Sequence, residues 1–181
     1  MRRKPKKKQG VQVSRKRKNK ERKFLSVSQL LPVLRRARRQ RKKIVFTNGC
    51  FDLIHPGHIH LLKRAAQMGD ILVVALNTDS SVRRLKGPGR PIFPLRERAE
   101  IVSALECVDY VVSFGEGTPA LIIGKIVPDV LVKGGDWKLS AIVGRDLVKR
   151  KGGKVVAISL KKGKSTTVLI ERIVNRFAHE G

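Results

Sequence analysis

Several features that would assign this protein to a class at once are missing from its sequence. No apolar run approaches the ~20 residues that a membrane-spanning helix needs, and the basic N-terminus is not followed by the apolar core of a signal peptide. The two cysteines, Cys50 and Cys107, form neither a Cys-x-x-Cys pair nor a disulfide framework. We therefore expect a protein of the reducing cytoplasm.

The common short motifs of other enzyme classes are missing as well. The sequence contains no Gly-x-x-x-x-Gly-Lys-Ser/Thr phosphate loop, no Gly-x-Gly-x-x-Gly fingerprint and no Gly-x-Ser-x-Gly nucleophile turn. It also lacks a zinc-ligand spacing and an internal repeat. These absences weigh against the enzyme classes that depend on those motifs and against repeat architectures.

Acidic residues are scarce, since 14 Asp and Glu stand against 41 Lys and Arg, which gives a formal net charge of +27. Residues 1–43 hold 20 of the 41 basic residues and a single acid, Glu21. Residues 1–23 have too few apolar side chains to fold around and are expected to form a disordered basic tail. The remaining residues, 24–181, are long enough to bury a sizeable core as one domain.

Two interpretations of the tail stay open. A lysine-rich arm binds polyanions by releasing their counter-ions, so the tail is either an arm for nucleic acid or an anionic membrane surface, or a solubilising extension without a defined partner. It has no aromatic residues interleaved for base stacking.

A strand-turn-helix segment is the most informative part of the chain. Residues 44–46 are a short β-branched and aromatic apolar run that predicts a buried strand, and Thr47-Asn48-Gly49 is turn chemistry. His55-Pro56-Gly57-His58 then opens a segment of helical spacing. The two histidines fall on one face of a helix start, where unpaired N–H groups favour phosphate. A metal pair or a chance spacing is the alternative.

Strand and helix patterns alternate along the rest of the chain, which predicts a single doubly wound α/β domain with a five-stranded parallel Rossmann-like sheet. The expected strands begin with residues 44–46 and continue with 71–76, 108–114, 130–133 and 155–160. The expected helices cover residues 26–41, 59–66, 94–106, 118–126, 139–151 and 168–174.

Three further segments are typical of phosphate or nucleotide contacts. Residues 82–93 read as a loop rich in Gly, Pro and cations, which predicts a phosphate clamp. Gly134 and Gly135 end a strand, where a ligand can approach the backbone closely. Ser165-Thr166-Thr167, close to Lys161, Lys162 and Lys164, opens the last helix and offers hydroxyls and N–H groups.

His-x-Gly-His behind a strand that ends in Gly-x-Phe-Asp resembles the signature of the cytidylyltransferase-like nucleotidyltransferases. Asn48 to Asp52, Arg83 to Pro91, Val132 to Trp137 and Gly163 to Thr167 are similar to segments of the adenylyltransferases of ADP-heptose synthesis. The resemblance covers roughly residues 26–175. It implies transfer of AMP from ATP to D-glycero-β-D-manno-heptose 1-phosphate, with release of pyrophosphate.

The resemblance also implies roles for individual residues. The expected catalytic residues are His55, His58, Lys86 and Arg98, with the neighbouring Arg96 as the alternative to Arg98. The expected nucleotide-binding residues are Cys50, Phe51, His55, His58, Gly135, Asp136, Ser165, Thr166 and Thr167. The expected acceptor-binding residues are Asn48, Asp52 and Lys86, although Asp52 is also able to order the turn instead. Mg²⁺ is expected as the cofactor that neutralises the triphosphate, with no protein ligand assigned to it.

Two other functions remain open at this stage. The same chemistry on another acceptor, as in a glycerol-3-phosphate cytidylyltransferase, would use the same fold. The alternative from a different class is a nucleic-acid-binding protein that uses its tail and whose enzyme fold has lost its activity.

The resemblance also implies a homodimer, because dimers are common among the members of this family.

Overall fold

The fold is described here from a computed structural model, which describes residues 22–135, 137–159 and 165–178. Five parallel strands form one sheet in the order β3-β2-β1-β4-β5. The strands are β1 Ile44–Gly49, β2 Ile71–Asn77, β3 Tyr110–Phe114, β4 Val130–Gly134 and β5 Lys154–Ile158. This order confirms the predicted Rossmann-like α/β class.

Helices connect the strands and cover both faces of the sheet. They are α1 Val27–Arg39, α2 Pro56–Ala66, α3 Asp79–Lys86, α4 Leu95–Ala104, α5 Ala120–Ile126, α6 Arg145–Arg150 and α7 Thr166–Phe177. A single turn of 3-10 helix, Leu139–Ala141, precedes α6.

The core lies in two layers, one on each face of the sheet. One layer packs α1, α5 and α6 against side chains such as Ile44 and Phe46 of β1. The other packs α2 and α4 against side chains that point the opposite way, such as Val45. This alternation follows from the period of two along a strand, and it explains why the central strands are apolar on both faces.

Local capping fixes the helix starts. Ser26 caps α1 through a capping box with Gln29. Pro32 lies in the second turn of α1. Lys23, one residue before the expected start of the domain at residue 24, already contacts the sheet, since its carbonyl accepts a hydrogen bond from the Val111 N–H.

Two predicted elements were wrong in their bounds. The supposed loop 82–93 is helical up to Lys86, because Thr78 and Asp79 begin the short helix α3 directly behind β2. The supposed continuous helix 139–151 is broken between Ala141 and Arg145. Gly144 there adopts a φ of +88°, which ends helical geometry.

Candidate active site

A cleft of about 300 Å³ opens at the carboxyl edge of the sheet, beside the ends of β1 and β4. The strand order reverses at this point, because β2 and β3 follow on one side of β1 and β4 and β5 on the other. In open α/β sheets, ligands bind in the crevice at such a switch point. Residues from β1, α2, α3, β4 and α7 line the cleft, so segments far apart in the sequence meet here.

Two histidines stand at the start of α2. His55 is the N-cap residue, and its Nδ1 accepts a hydrogen bond from the Gly57 N–H at 3.1 Å. Nδ1 therefore carries no proton, and the N–H of His55 is on Nε2. The His58 ring stacks on the His55 ring with their centroids 3.9 Å apart, and the Phe51 ring lies 5.0 Å from His58. All three side chains line the cleft.

Both imidazoles are neutral at pH 7. Burial lowers the pKa of His55. Burial also lowers the pKa of His58 to about 4, with the neighbouring His55 adding to the shift and the Leu53 carbonyl opposing it. A neutral imidazole donates one hydrogen bond to a phosphate oxygen without a full charge having to be desolvated.

An ion pair between Asp52 and Arg90 forms one wall of the cleft. The Arg90 Nε donates to the Asp52 carboxylate at 2.6 Å, and the backbone N–H groups of Ile92 and Phe93 donate to the same carboxylate at 2.9 and 3.0 Å. Burial alone would raise the pKa of Asp52, but these three donors outweigh it and hold the pKa below its ordinary value. Asp52 therefore orders the segment behind Gly89 and aims Arg90 into the cleft.

Two lysines approach the same cleft from other elements. Lys86 ends α3 and is exposed, and Lys133 lies near the end of β4 with its Nζ 5.7 Å from the centroid of the Trp137 ring. Burial lowers the pKa of Lys133, and the charge of Lys86 lowers it further. Within the described ranges, no carboxylate lies within ion-pair distance of either ammonium group. Three cations therefore converge on one cleft.

The start of α7 forms the opposite wall. Ser165 is its N-cap and accepts a hydrogen bond from the Val168 N–H at 3.2 Å, while Thr166 Oγ1 donates to the Leu53 carbonyl at 3.5 Å. Ser165, Thr166 and Thr167 all line the cleft, as the sequence predicted. Two helix N-termini, those of α2 and α7, thus open onto the same space. Lys161, Lys162 and Lys164 lie outside the described residues.

The end of β4 adds backbone and one aromatic ring. Gly134 lines the cleft, and Gly135 follows with a φ of +116°, a conformation that an L side chain rarely adopts. A Cβ at Gly135 would also come within 3.0 Å of Trp137 Nε1. Asp136, one of the predicted nucleotide-binding residues, lies outside the described residues.

Arg98 is placed differently from the other predicted site residues. Its side chain is completely buried, and its guanidinium donates to the carbonyls of Phe93, Cys50 and Asn77 and to the Asp79 carboxylate, at 2.6 to 2.9 Å. It does not line the cleft. The structure therefore does not bring Arg98 to the position of a phosphate, and makes it a residue that ties together the backbone around the site.

Asn48 and Cys50 line the cleft at the end of β1. Burial raises the pKa of the Cys50 thiol, against the charges of Lys86, Arg98 and Arg90, so the thiol stays protonated at neutral pH. Since the thiolate is the nucleophilic form, Cys50 lacks the environment of a reactive thiol.

The described residues offer no set of protein ligands for Mg²⁺. No group of three or more His, Cys, Asp or Glu side chains suited to a metal ion occurs in the ranges that the structure covers. Asp52, the carboxylate in the cleft, is already bonded to three donors. Among the described residues, no free carboxylate is left to hold a metal ion in this cleft, and the oxygens of a bound phosphate ligand are the remaining donors.

A larger cavity, of about 610 Å³, lies elsewhere, between the N-terminal segment and α4. Its walls include Arg22, Phe24, Arg96 and Glu100, and none of the predicted site residues. None of its lining residues stands at the carboxyl end of a strand, so the smaller cleft is the better candidate for chemistry.

Sequence reasoning missed Arg90 and Lys133 as individual site residues. Both lay inside segments already marked as informative, the glycine-rich stretch and the end of the fourth strand. The period of two along β4 could have placed Lys133 on the same face of the sheet as Leu131. The sequence around Arg90 gives no such signal, because its partner, the buried Asp52, lies 38 positions earlier in the chain.

Comparisons with known proteins agree with this geometry. The family model described as cytidylyltransferase-like matches residues 46–171. Bifunctional protein HldE of Syntrophotalea carbinolica is 53% identical over 148 residues, which cover 82% of this chain and 30% of that protein. Bifunctional protein HldE of Citrifermentans bemidjiense is 48% identical over 160 residues, which cover 88% of this chain and 33% of that protein. The chain therefore spans about a third of the length of these curated relatives.

Solved structures share the fold. The lipopolysaccharide core biosynthesis protein from Thermoplasma volcanium has 31% identity and a TM-score of 0.54, with 67% of this chain and 98% of that chain covered. Pantoate-beta-alanine ligase from Francisella tularensis has 15% identity and a TM-score of 0.54, with 77% of this chain and 67% of that chain covered. At this identity, the likeness shows a shared fold alone. Among the described helices, none has both the length and the apolar character needed to cross a bilayer.

Proposed function

The chain belongs to the cytidylyltransferase-like family of nucleotidyltransferases, and we propose that it transfers AMP from ATP to D-glycero-β-D-manno-heptose 1-phosphate. The products are ADP-D-glycero-β-D-manno-heptose and pyrophosphate, for the synthesis of lipopolysaccharide core heptose. The similarity to HldE proteins at about 50% identity and to the Thermoplasma protein supports this acceptor. We place the reaction in the cytoplasm, where ATP is available.

The observation that carries the proposal is the meeting of two helix N-termini, two stacked neutral histidines and three cations in one cleft. Each of these groups favours phosphate oxygens, and together they suit a ligand with several phosphates. An anionic acceptor phosphate needs no strong base, because its oxygen is already a nucleophile. The barrier lies in bringing two anions together and in stabilising the charge that develops.

In this mechanism an oxygen of the acceptor phosphate attacks the α-phosphorus of ATP. The bond from the α-phosphorus to the bridging oxygen of the β-phosphate breaks, and pyrophosphate leaves with the electron pair. His55, through Nε2–H, donates a hydrogen bond to a phosphate oxygen as charge builds up on it, and His58 donates there in the tautomer whose N–H faces the phosphates rather than the Leu53 carbonyl. Ser165, Thr166 and Thr167 hold the β- and γ-phosphates at the start of α7.

The three cations take the acceptor side. Lys86, Arg90 and Lys133 bind the acceptor phosphate and offset its repulsion from the α-phosphate. Arg90 takes the role that was predicted for Arg98, because the Arg90 side chain lines the cleft while that of Arg98 is fully buried. Mg²⁺ bound to the triphosphate oxygens would offset part of their negative charge. Asn48 stays assigned to acceptor binding, and a homodimer stays a prediction.

The proposal is tested by the choice of substrates. Pyrophosphate release is measured from purified full-length protein with magnesium, for ATP and CTP each combined with the heptose 1-phosphate and with glycerol 3-phosphate. Release only from ATP with the heptose phosphate is the expected result. Release from CTP with glycerol 3-phosphate would keep the reaction type and overturn the substrates, and no release in any pairing would contradict the proposal.

A further inference from the structure

The edge of the sheet opposite the cleft carries a dense group of exposed cations. The last turns of α1 present three arginines, and three more cations follow before β1 begins. We call these six exposed residues the basic edge: Arg35, Arg36, Arg39, Arg41, Lys42 and Lys43. Six cations within nine positions give a local charge density that no other described segment of the chain matches.

Neighbouring turns extend this charge sideways. The Lys43 carbonyl accepts a hydrogen bond from the Asp70 N–H at 2.9 Å, which joins the turn before β2 to the basic edge. On the other side, Asp129 N–H bonds to the Ile44 carbonyl at 2.9 Å, and Lys154 N–H bonds to the Asp129 carbonyl at 2.8 Å. These contacts place the turn at Asp70 and the start of β5 beside the basic edge. Along the chain, the exposed cations near these two points are Lys63 and Arg64 in the last turn of α2, and Lys151 and Lys154 just before and at the start of β5.

Acids at this edge are fewer and serve the backbone. Asp70, Asp109 and Asp129 each accept a hydrogen bond from the N–H of a residue at a strand start, and Glu106 is the other exposed acid in these connections. Cations in the last turn of a helix also stabilise its dipole. That effect accounts for Arg36 and Arg39 in the last turn of α1. It does not account for Arg35, or for Arg41, Lys42 and Lys43, which follow the helix.

We propose that the basic edge binds the phosphodiester backbone of a double-stranded nucleic acid without reading its sequence. Four of its six cations are arginines, whose planar forks suit phosphate oxygens. The basic edge contains no aromatic residue on which an unpaired base could stack, which disfavours a single-stranded ligand. The contacts are therefore with backbone phosphates, which position a protein but do not specify a sequence.

A membrane fits this surface less well. An amphipathic surface that inserts into a bilayer combines cations with large apolar side chains. In the ranges that the structure describes, the large apolar side chains that are exposed belong to other segments, such as Trp137 near the cleft and Phe177 on α7. The basic edge has the charge alone.

The cleft and the basic edge lie at opposite ends of the strands, so the two sites are independent. Duplex binding should persist at saturating ATP and magnesium. Nucleotidyl transfer should in turn be unchanged by variants of the basic edge. The basic tail is present in every protein compared, so its contribution cancels.

The test compares two full-length triple variants that lose the same charge. The first is R35Q, R36Q and R39Q on the basic edge, and the control is R83Q, R172Q and R176Q, exposed arginines of α3 and α7. Binding to a short labelled duplex is followed by fluorescence anisotropy over a range of salt concentrations, with duplex RNA and duplex DNA in separate arms. Circular dichroism confirms that both variants are folded.

The basic-edge variant should bind at least about tenfold more weakly at low salt. The slope of log K against log salt should become shallower by roughly 2 to 3, since each phosphate that the protein no longer neutralises lowers the slope by about 0.9. The control should bind within about twofold of the unmodified protein. Equal losses of affinity in both variants would mean that only net charge matters, and would overturn the proposal. A third arm measures binding to vesicles of phosphatidylglycerol and phosphatidylcholine. If the basic-edge variant lost affinity for the vesicles and kept its affinity for both duplexes, the proposal would also be overturned.

Discussion

The Asp52 carboxylate holds the Arg90 guanidinium at the wall of the cleft through a contact of 2.6 Å between Oδ2 and Nε. The Asp52 side chain is fully buried and that of Arg90 is 14% exposed, so the pair is shielded from solvent. This contact uses Nε, and the terminal NH₂ groups of Arg90 are available to a phosphate. An acid in an anion-binding site thus acts as the support for a cation.

Arg90→Gln should raise the KM for the acceptor on the order of tenfold and leave the KM for ATP nearly unchanged, because Arg90 is assigned to the acceptor phosphate. Arg90→Lys should not restore the activity, since an ammonium group cannot bond to Asp52 and to a phosphate with the geometry of a fork. Steady-state kinetics with each substrate varied in turn measures both constants.

Asp52→Asn should act through Arg90. The double variant Asp52→Asn with Arg90→Gln is then expected to be no worse than Arg90→Gln alone, which a double-mutant cycle measures. Fully additive losses would show that Asp52 acts independently of Arg90, either through the Ile92 and Phe93 N–H groups or by contacting the acceptor, the other role that the sequence allowed.

Arg98→Met should lower the free energy of unfolding by about 3 kcal/mol or more, because it removes a buried charge that four acceptors surround. Arg96→Met, on the exposed side of the same helix, is the matched control and should change stability by less than about 0.5 kcal/mol. Urea denaturation of both variants measures the difference. If Arg98→Met were as stable as the control yet inactive, Arg98 would act on the phosphates after all.

The low pKa of His58 predicts a dependence of stability on pH. The folded protein keeps His58 neutral down to about pH 4, whereas the unfolded chain protonates it near pH 6.5, so the unfolded state binds more protons between these values. The free energy of unfolding should therefore fall as the pH drops from 6.5 towards 4, by roughly 1 to 2 kcal/mol at pH 5 for this residue. The reference is the same measurement on His58→Gln, which should lose less stability between pH 7 and pH 5. An unchanged loss would refute the assigned protonation state.

Trp137, the only tryptophan, lies beside Lys133 and lines the cleft, so its fluorescence should report binding. Titration with the heptose 1-phosphate should change its emission, and Lys133→Gln should weaken the measured affinity on the order of tenfold. Lys138→Gln is the matched control, because Lys138 is exposed and does not line the cleft. Equal affinities of the two variants would remove Lys133 from the acceptor site.

The fold could be predicted from local signals, because each buried strand is a short apolar run and most helices have recognisable starts. The short helix α3 was missed because its serines and its cations are typical of loops, and its support comes from Asn77 and Arg98 in neighbouring elements. The break at Gly144 was missed because a glycine within a helical pattern is often tolerated.

The candidate site was predictable where function and local structure coincide. His55 and Ser165 cap helices, and capping is visible in the sequence. The roles of Arg90 and Arg98 depend on which carboxylates and carbonyls the folded chain brings near them. Two arginines eight positions apart therefore end in opposite environments, one at the cleft wall and one in the core.

The central claim is that the α-phosphate of ATP is transferred to a sugar phosphate in a cleft where two neutral imidazoles donate to the phosphates. The most direct measurement follows ATP labelled at the α-phosphorus, with the heptose 1-phosphate and magnesium, for the unmodified protein and for His58→Ala. The label should appear in an ADP-sugar and not in pyrophosphate, and His58→Ala should slow its appearance on the order of a hundredfold while remaining folded. Label that stays in the nucleotide, or a rate for His58→Ala within a few-fold of the unmodified protein, would contradict the account.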